Sequence, residues 1–184
     1  TIFIIDEVFM DFLEDTGDYS LIGEVDKFKN LIVIRSLTKF FSIPGLRVGY
    51  IVANKRIIKR LQRLKIPWSV NNFAQIIGER LMRDKEFIKK SRLFIKKEAS
   101  FLFKHLSEIK SIRPYFPGAN FILCRIKNND FDSNLLKDAL MKKGILIRDC
   151  SNFKGLNNRF FRVAIKNRLN NIILLKELRR VFHE

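Results

Sequence analysis

Two apolar runs, Leu31-Ile32-Val33-Ile34 and Val48-Gly49-Tyr50-Ile51-Val52, flank a polar stretch that contains Ser36, Lys39, the turn Pro44-Gly45 and Arg47. Short continuous apolar runs bounded by turn residues read as strands buried on both faces. In open α/β sheets, functional groups collect just past the carboxyl ends of such strands, and Lys39 stands at one of those ends. A lysine attacks an aldehyde only when its ammonium has lost a proton, which burial or a neighbouring cation promotes. Arg47 offers a second cation and a planar fork suited to phosphate oxygens, and Ser36 adds a hydroxyl donor. Taken alone, Lys39 reads as an ordinary solvated lysine in a chain with 36 Lys and Arg. The spacing taken together with the two flanking strands is what singles it out.

Upstream, Thr1-Ile2-Phe3-Ile4-Ile5 is another short apolar strand, and it runs into Asp6-Glu7-Val8-Phe9-Met10-Asp11-Phe12. An acid just past a buried strand points toward the same crevice as Lys39, although a turn or helix-capping aspartate has the same sequence signature. Near the carboxyl end, Arg148 and Arg162 stand within or at the end of the strand-like runs Ile145-Leu146-Ile147-Arg148 and Phe160-Phe161-Arg162-Val163-Ala164. Fixed geometry of that kind suits bidentate recognition of a small anion. Two edge-strand arginines on a solvated face remain the alternative.

These stretches resemble the pyridoxal-phosphate enzymes of fold type I, specifically the aminotransferase class I/II family. Within it, Asp6 to Phe12, Ile43-Pro44-Gly45, Pro67-Trp68-Ser69-Val70-Asn71 and Ile147 to Phe153 look most like the subgroup that decarboxylates threonine phosphate in cobalamin synthesis, with the histidinol-phosphate aminotransferases next. The similarity runs from Thr1 to about Val181. It implies an enzyme whose cofactor is pyridoxal 5'-phosphate and whose substrate is a small phosphorylated amino acid. It implies that Lys39 is the catalytic residue that forms the imine with the cofactor, that Asp6 pairs with the protonated ring nitrogen, and that Ser36 and Arg47 contact the cofactor phosphate. Arg162 would clamp the substrate carboxylate, and Arg148 would face its distal group. Most of these aminotransferases have tyrosine where this chain has Phe9, whereas the decarboxylases commonly have phenylalanine. The expected reaction is decarboxylation of L-threonine O-phosphate to aminopropanol phosphate, with a histidinol-phosphate or related transamination as the alternative.

The expected fold class is α/β, the carboxyl-terminal part of a fold type I enzyme. Residues 1–84 would be the remainder of the cofactor-binding large domain and 85–184 the small domain. Three strand-like runs, at 1–5, 31–36 and 48–53, are too few and too apolar for a finished parallel sheet, which needs both faces covered. Members of the family are about twice this length by the one-core-per-domain prior, so the chain is expected to be a fragment that does not hold the cofactor tightly by itself. Helical spacing of Ile57, Ile58, Leu61 and Leu64 predicts a basic helix over 55–65. A pattern without proline from about Asn72 to Leu106 predicts one long helix leading into the small domain. There, strands at 111–113, 120–125, 145–148 and 160–164 and helices at about 132–142 and 169–182 make an α+β layer.

A net charge of +17 with 18 Phe admits a different class, a nucleic-acid binder that neutralises phosphates and stacks bases. Here the lysines are interspersed with apolar residues along helices and the phenylalanines fall in core-like slots, so a solvated basic surface is the expected reading and nucleic acid is not an expected partner. An interaction-only remnant that docks on a partner subunit is a third reading. Two cysteines, Cys124 and Cys150, define no framework, and His105 and His183 offer no metal cluster. With no apolar run near membrane-spanning length, the expectation is a cytoplasmic protein with no membrane partner. Family members usually pair, so a homodimer is expected. Trp68 reads either as bordering the active site or, more simply, as a core residue between helices.

Overall fold

The computed structural model describes residues 1–14, 16–128 and 131–184, which form two compact units, Thr1–Arg92 and Leu93–Glu184.

The first unit is built on a three-stranded sheet. Strand β1 (Phe3–Asp6) pairs in parallel with the central strand β2 (Leu31–Ser36), and β3 (Gly49–Ala53) pairs antiparallel with β2. The Pro44-Gly45 turn reverses the chain between β2 and β3, which is why the third strand-like run is antiparallel to the second. Because strand side chains alternate between faces, Ile5, Val33 and Val52 share one face. They pack there with Leu31, Val25 and Ile22. A single helical turn, α1 (Leu37–Phe40), follows β2, and Leu37, Phe40 and Phe41 form a separate cluster against Phe12, Ile43, Val48, Leu81 and Ile88. Strand β1 lies at the sheet edge. Its Phe3 and Ile4 are 56 and 62 % exposed.

Helix α2 (Lys55–Leu64) is capped by Asn54, whose side chain accepts from the Arg56 N–H. The long helix expected from 72 to 106 is two helices, α3 (Asn72–Arg83) and α4 (Lys85–Ser107). Asp84 breaks it: its own N–H bonds to the Leu81 carbonyl, while its Oδ1 accepts from the Phe87 N–H at 2.9 Å and caps the next helix. A short polar side chain that ends one helix and starts another outweighs the continuous helical pattern around it. The boundary between the two units falls inside α4.

The second unit has an antiparallel sheet of order β4-β5-β7-β6, from β4 (Ile112–Pro114), β5 (Phe121–Ile126), β6 (Arg148–Asp149) and β7 (Phe160–Ala164). Helices α5 (Ser133–Met141) and α6 (Arg168–Val181) complete it. Its core is one continuous cluster, including Leu102, Leu106, Ile122, Leu136, Leu140, Phe161 and Leu178, all fully buried. The strand expected over 145–148 shrinks to Arg148–Asp149. The Ile145 N–H is taken by the Leu140 carbonyl at the end of α5, and Gly144 turns the chain at φ 72, so the backbone at 144–145 closes a helix instead of joining the sheet.

Candidate functional site

In the first unit the expected residues converge on one end of the sheet. Asp6 lies opposite Ile34 in the parallel ladder, so Asp6 and Ser36 share a face at the carboxyl ends of adjacent strands, their Cα atoms about 8 Å apart from standard strand spacings. The Asp6 side chain is exposed and its Oδ1 accepts from the Val8 N–H at 3.0 Å. Ser36 caps α1: its Oγ accepts from the Thr38 N–H at 3.2 Å and shares a hydrogen bond with Thr38 Oγ1 at 2.8 Å. Lys39, on the same helical turn, is exposed. Arg47 has a left-handed backbone, φ 48, and donates from Nη1 to the Pro44 carbonyl at 3.2 Å. Directly opposite Ser36 stands Gly49, where an added Cβ would lie 2.5 Å from the Arg35 carbonyl oxygen. Only glycine allows β3 to approach β2 so closely just after Arg47.

This end of the sheet carries an amine, a carboxylate, two hydroxyls and a guanidinium, the carboxylate at the end of β1 and the others between Ser36 and Arg47. Such a set is able to bond an aldehyde carbon, pair with a cationic nitrogen and bind an anion. Phe9, half-buried, stacks on Phe12 with ring centroids 6.3 Å apart and brings no hydroxyl. The opposite face of the same sheet end holds a charged cluster. Arg35, 5 % exposed within an otherwise apolar strand, bonds to Glu7, Asp11 and Ser20, and Tyr50 faces it across the β2–β3 ladder. Burial pushes the Asp11 carboxyl above its ordinary range despite the Arg35 and Arg92 guanidiniums, and burial likewise raises the Tyr50 phenol. The sequence reading missed Glu7, Arg35 and Thr38. An arginine inside the run Leu-Ile-Val-Ile-Arg-Ser was the available signal, because a buried cation requires a buried partner.

In the second unit Arg148 and Arg162 are directly paired across the β6–β7 ladder. Both guanidiniums lie over the Phe153 ring, at 5.6 and 5.4 Å from its centroid, and Arg162 also lies 4.5 Å from that of Phe121. Arg148 donates to Asn152 Oδ1 at 3.3 Å. The adjacent carboxylate is already engaged: Asp149 accepts from Ser133 Oγ and from the Ser151 N–H and hydroxyl. Burial alone would raise the Asp149 carboxyl, but those hydrogen bonds outweigh it and hold the group below its ordinary range. Like charges directly opposite each other on adjacent strands repel, so aromatic faces that orient two guanidiniums side by side make a ready receptor for an anion.

Other expectations are redistributed. Trp68 is 92 % exposed with φ 64, so it is not a core residue; the turn that carries it leaves the ring in solvent. Cys124 and Cys150 are buried free thiols whose pKa values are both raised by burial. Among the described residues no group of His, Cys, Asp and Glu is suited to a metal ion, and no helix is long and apolar enough to cross a membrane.

Comparison with known proteins shows the family and the fold. The family model for aminotransferase class I and II matches residues 1–176. The chain is 36 % identical to the threonine-phosphate decarboxylase of Salmonella typhimurium, over 97 % of this chain and 48 % of that protein. It is 35 % identical to the histidinol-phosphate aminotransferase of Thermoanaerobacter pseudethanolicus, over 98 % of this chain and 48 % of that protein. The crystal structure of the histidinol-phosphate aminotransferase from Clostridium acetobutylicum superposes with a TM-score of 0.92 at 39 % identity, covering 98 % of this chain and 54 % of that one. The chain thus spans about half the length of the curated relatives it matches. It belongs to the aminotransferase class I and II family, pyridoxal-phosphate-dependent enzymes of fold type I.

Proposed function

We propose that the protein carrying this chain decarboxylates L-threonine O-phosphate to aminopropanol phosphate, using pyridoxal 5'-phosphate. The groups at the end of the first unit's sheet fit that cofactor chemically. Lys39 supplies the amine for its aldehyde, Asp6 the carboxylate that keeps its ring nitrogen protonated, and Arg47 with the Ser36–Thr38 hydroxyl pair the donors for its phosphate. Once bound, the cofactor supplies an electron sink for the pair released at the substrate's α carbon. The chain's own residues do the rest. Arg162 holds the substrate carboxylate, Arg148 holds the substrate phosphate, and Lys39 Nζ carries a proton to or from the reacting carbon.

The observation that carries the choice of decarboxylation is Phe9. At a position where the resembling aminotransferases have a tyrosine hydroxyl, this chain presents a ring stacked on Phe12. Transamination of histidinol phosphate is the competing reading, favoured by the likeness to the Clostridium acetobutylicum enzyme, and Arg148 serves either substrate because both end in a phosphate monoester. The test supplies L-threonine O-phosphate and pyridoxal phosphate to the full polypeptide encoded by the reading frame. Release of carbon dioxide supports the proposal. A keto product formed only with an amino acceptor transfers it to the aminotransferase, and Lys39→Ala abolishes either activity. The 184-residue chain alone is expected to show no visible absorption band from bound cofactor. The working unit is taken to be a homodimer, which sedimentation mass tests.

A further inference from the structure

The buried charges behind the sheet end have no place in the chemistry described so far, and they are costly. Glu7 is 3 % exposed and Arg35 5 %. Each charge taken out of water costs several kcal/mol, and a well-packed apolar pair of similar volume often serves stability as well or better. Strand β2 is otherwise Leu-Ile-Val-Ile, so an apolar residue at 35 would fit its pattern. What an apolar pair lacks is direction.

All three nitrogens of the Arg35 guanidinium and both oxygens of Glu7 are hydrogen-bonded. Arg35 Nε donates to Glu7 Oε2 at 2.9 Å, Nη2 approaches the same oxygen at 2.8 Å, and Nη1 donates to Asp11 Oδ1 at 2.9 Å. Ser20 Oγ accepts from Arg35 Nη2 at 3.0 Å and donates to Glu7 Oε2 at 2.8 Å, and the Leu21 N–H donates to Glu7 Oε1 at 2.7 Å. Arg92 Nε donates to the Asp11 carbonyl at 2.9 Å. The position of the cluster in the chain matters as much as its bonding. Glu7 immediately follows Asp6, Arg35 immediately precedes Ser36, and the Glu7 N–H bonds to the Ile34 carbonyl at 2.9 Å, continuing the ladder. By strand alternation Glu7 and Arg35 lie on one face while Asp6 and Ser36 lie on the other. A slip of β1 by one residue would turn Asp6 to the wrong face, and it would also separate Glu7 from Arg35 and leave both charges buried and unpaired.

We propose that Arg35 and Glu7 are positioning residues, an ion pair behind the sheet that fixes the Asp6 carboxylate in register with Ser36 and Lys39 so that it meets the ring nitrogen of the cofactor. This rests on the assignment of Asp6 made above. The pair never touches the cofactor; it acts through the one backbone step that joins Glu7 to Asp6.

The test compares, in the full polypeptide, the dissociation constants of pyridoxal 5'-phosphate and of its 1-deaza analogue, in which the ring nitrogen is replaced by C–H. The parent is expected to favour the natural cofactor by about 10- to 100-fold, the range of a hydrogen bond to a charged group, and Asp6→Asn to erase that preference. Arg35→Lys, which keeps the charge but loses the fork, and Glu7→Gln, which keeps the volume, are each expected to cut the preference by about fivefold or more while the analogue's own affinity stays within about twofold. A merely structural role would weaken both ligands alike, and that result overturns the inference. So does retention of the parent's preference in Arg35→Lys and Glu7→Gln when Asp6→Asn has lost it, with the Asp6 assignment left standing. If the parent shows no preference, or Asp6→Asn keeps it, the assignment of Asp6 falls and the inference falls with it. Should Arg35→Lys not fold, Glu7→Gln alone decides.

Discussion

The two units differ in how they hold themselves together. In Leu93–Glu184 a single buried cluster of 18 residues joins three of the four strands, β4, β5 and β7, to their helices. In Thr1–Arg92 six buried apolar residues fall into two clusters of three, Ile32 and Ala74 lie outside both, and Phe3 and Ile4 of the edge strand that ends in Asp6 are exposed. The second unit has the core of a self-sufficient domain. In the first, what holds the sheet end in shape is hydrogen bonding and charge: the Ser36 cap, the close approach at Gly49 and the Glu7–Arg35–Asp11 cluster. Rigidity in that unit is concentrated around the candidate chemistry.

The most direct way to break this contrast is to remove a buried side chain from each unit. Leu102→Ala, in the continuous core, is expected to cost the second unit about 2–5 kcal/mol in urea unfolding. Leu31→Ala is expected to cost the first unit less, near the lower end of about 2–5 kcal/mol, because its small cluster has little packing to lose and more freedom to relax. Equal losses would mean that the first unit has a core of comparable cooperativity, and the contrast would fail.

Glycines give a sharper, smaller test. At Gly49 a methyl group would sit 2.5 Å from the Arg35 carbonyl oxygen, a backbone atom that cannot move without disturbing the ladder. Gly49→Ala is therefore expected to cost about 1–3 kcal/mol and to reduce cofactor retention. At Gly155 in the second unit there is open space, and only the φ of 89 opposes a side chain. Gly155→Ala is expected to cost about 1–2 kcal/mol and to leave cofactor retention unchanged. Thermal unfolding paired with cofactor titration reads both effects.

The same contrast explains what was legible in the sequence. The second unit was readable almost element by element, since amphipathic helices and apolar strands around one core follow binary patterning, and the exception is local: the Ile145 N–H captured by α5. In the first unit the strands were legible from their short apolar runs, and Asp6, Ser36, Lys39 and Arg47 could be singled out because they stand at the ends of those runs. The cluster behind them was not. Which face Glu7 and Arg35 occupy depends on the parallel register of β1 with β2, a long-range pairing that composition and spacing do not carry, and the Trp68 turn likewise gave no sign that its ring would be left exposed.

The smallest expected effect is also the one most specific to the comparison, because a buried carboxyl in the second unit and a half-buried one in the first are shifted in opposite directions. In the second unit hydrogen bonds from Arg168, together with one from Asn171, hold the Glu98 carboxyl below its ordinary range against the cost of burial. A depressed folded pKa contributes stability that is fully present above the unfolded value, here 4.5, and is lost as pH falls through the folded value. In the first unit burial raises Asp11 above 3.8. There the folded state binds the proton more tightly than the unfolded state, so stability declines as pH rises from 3.8 through the raised value, and acidification across that window favours folding. Glu98→Gln should therefore flatten the acid-side loss of stability in the second unit, whereas Asp11→Asn, which keeps an acceptor for Arg35, should remove a slope of the opposite sign in the first. Amide exchange followed residue by residue between pH 3 and 6 separates the two units. Slopes of the same sign at Val33 in β2 and Leu102 in α4 would show that the carboxyl behind the candidate site is held by its partners as firmly as the one in the core.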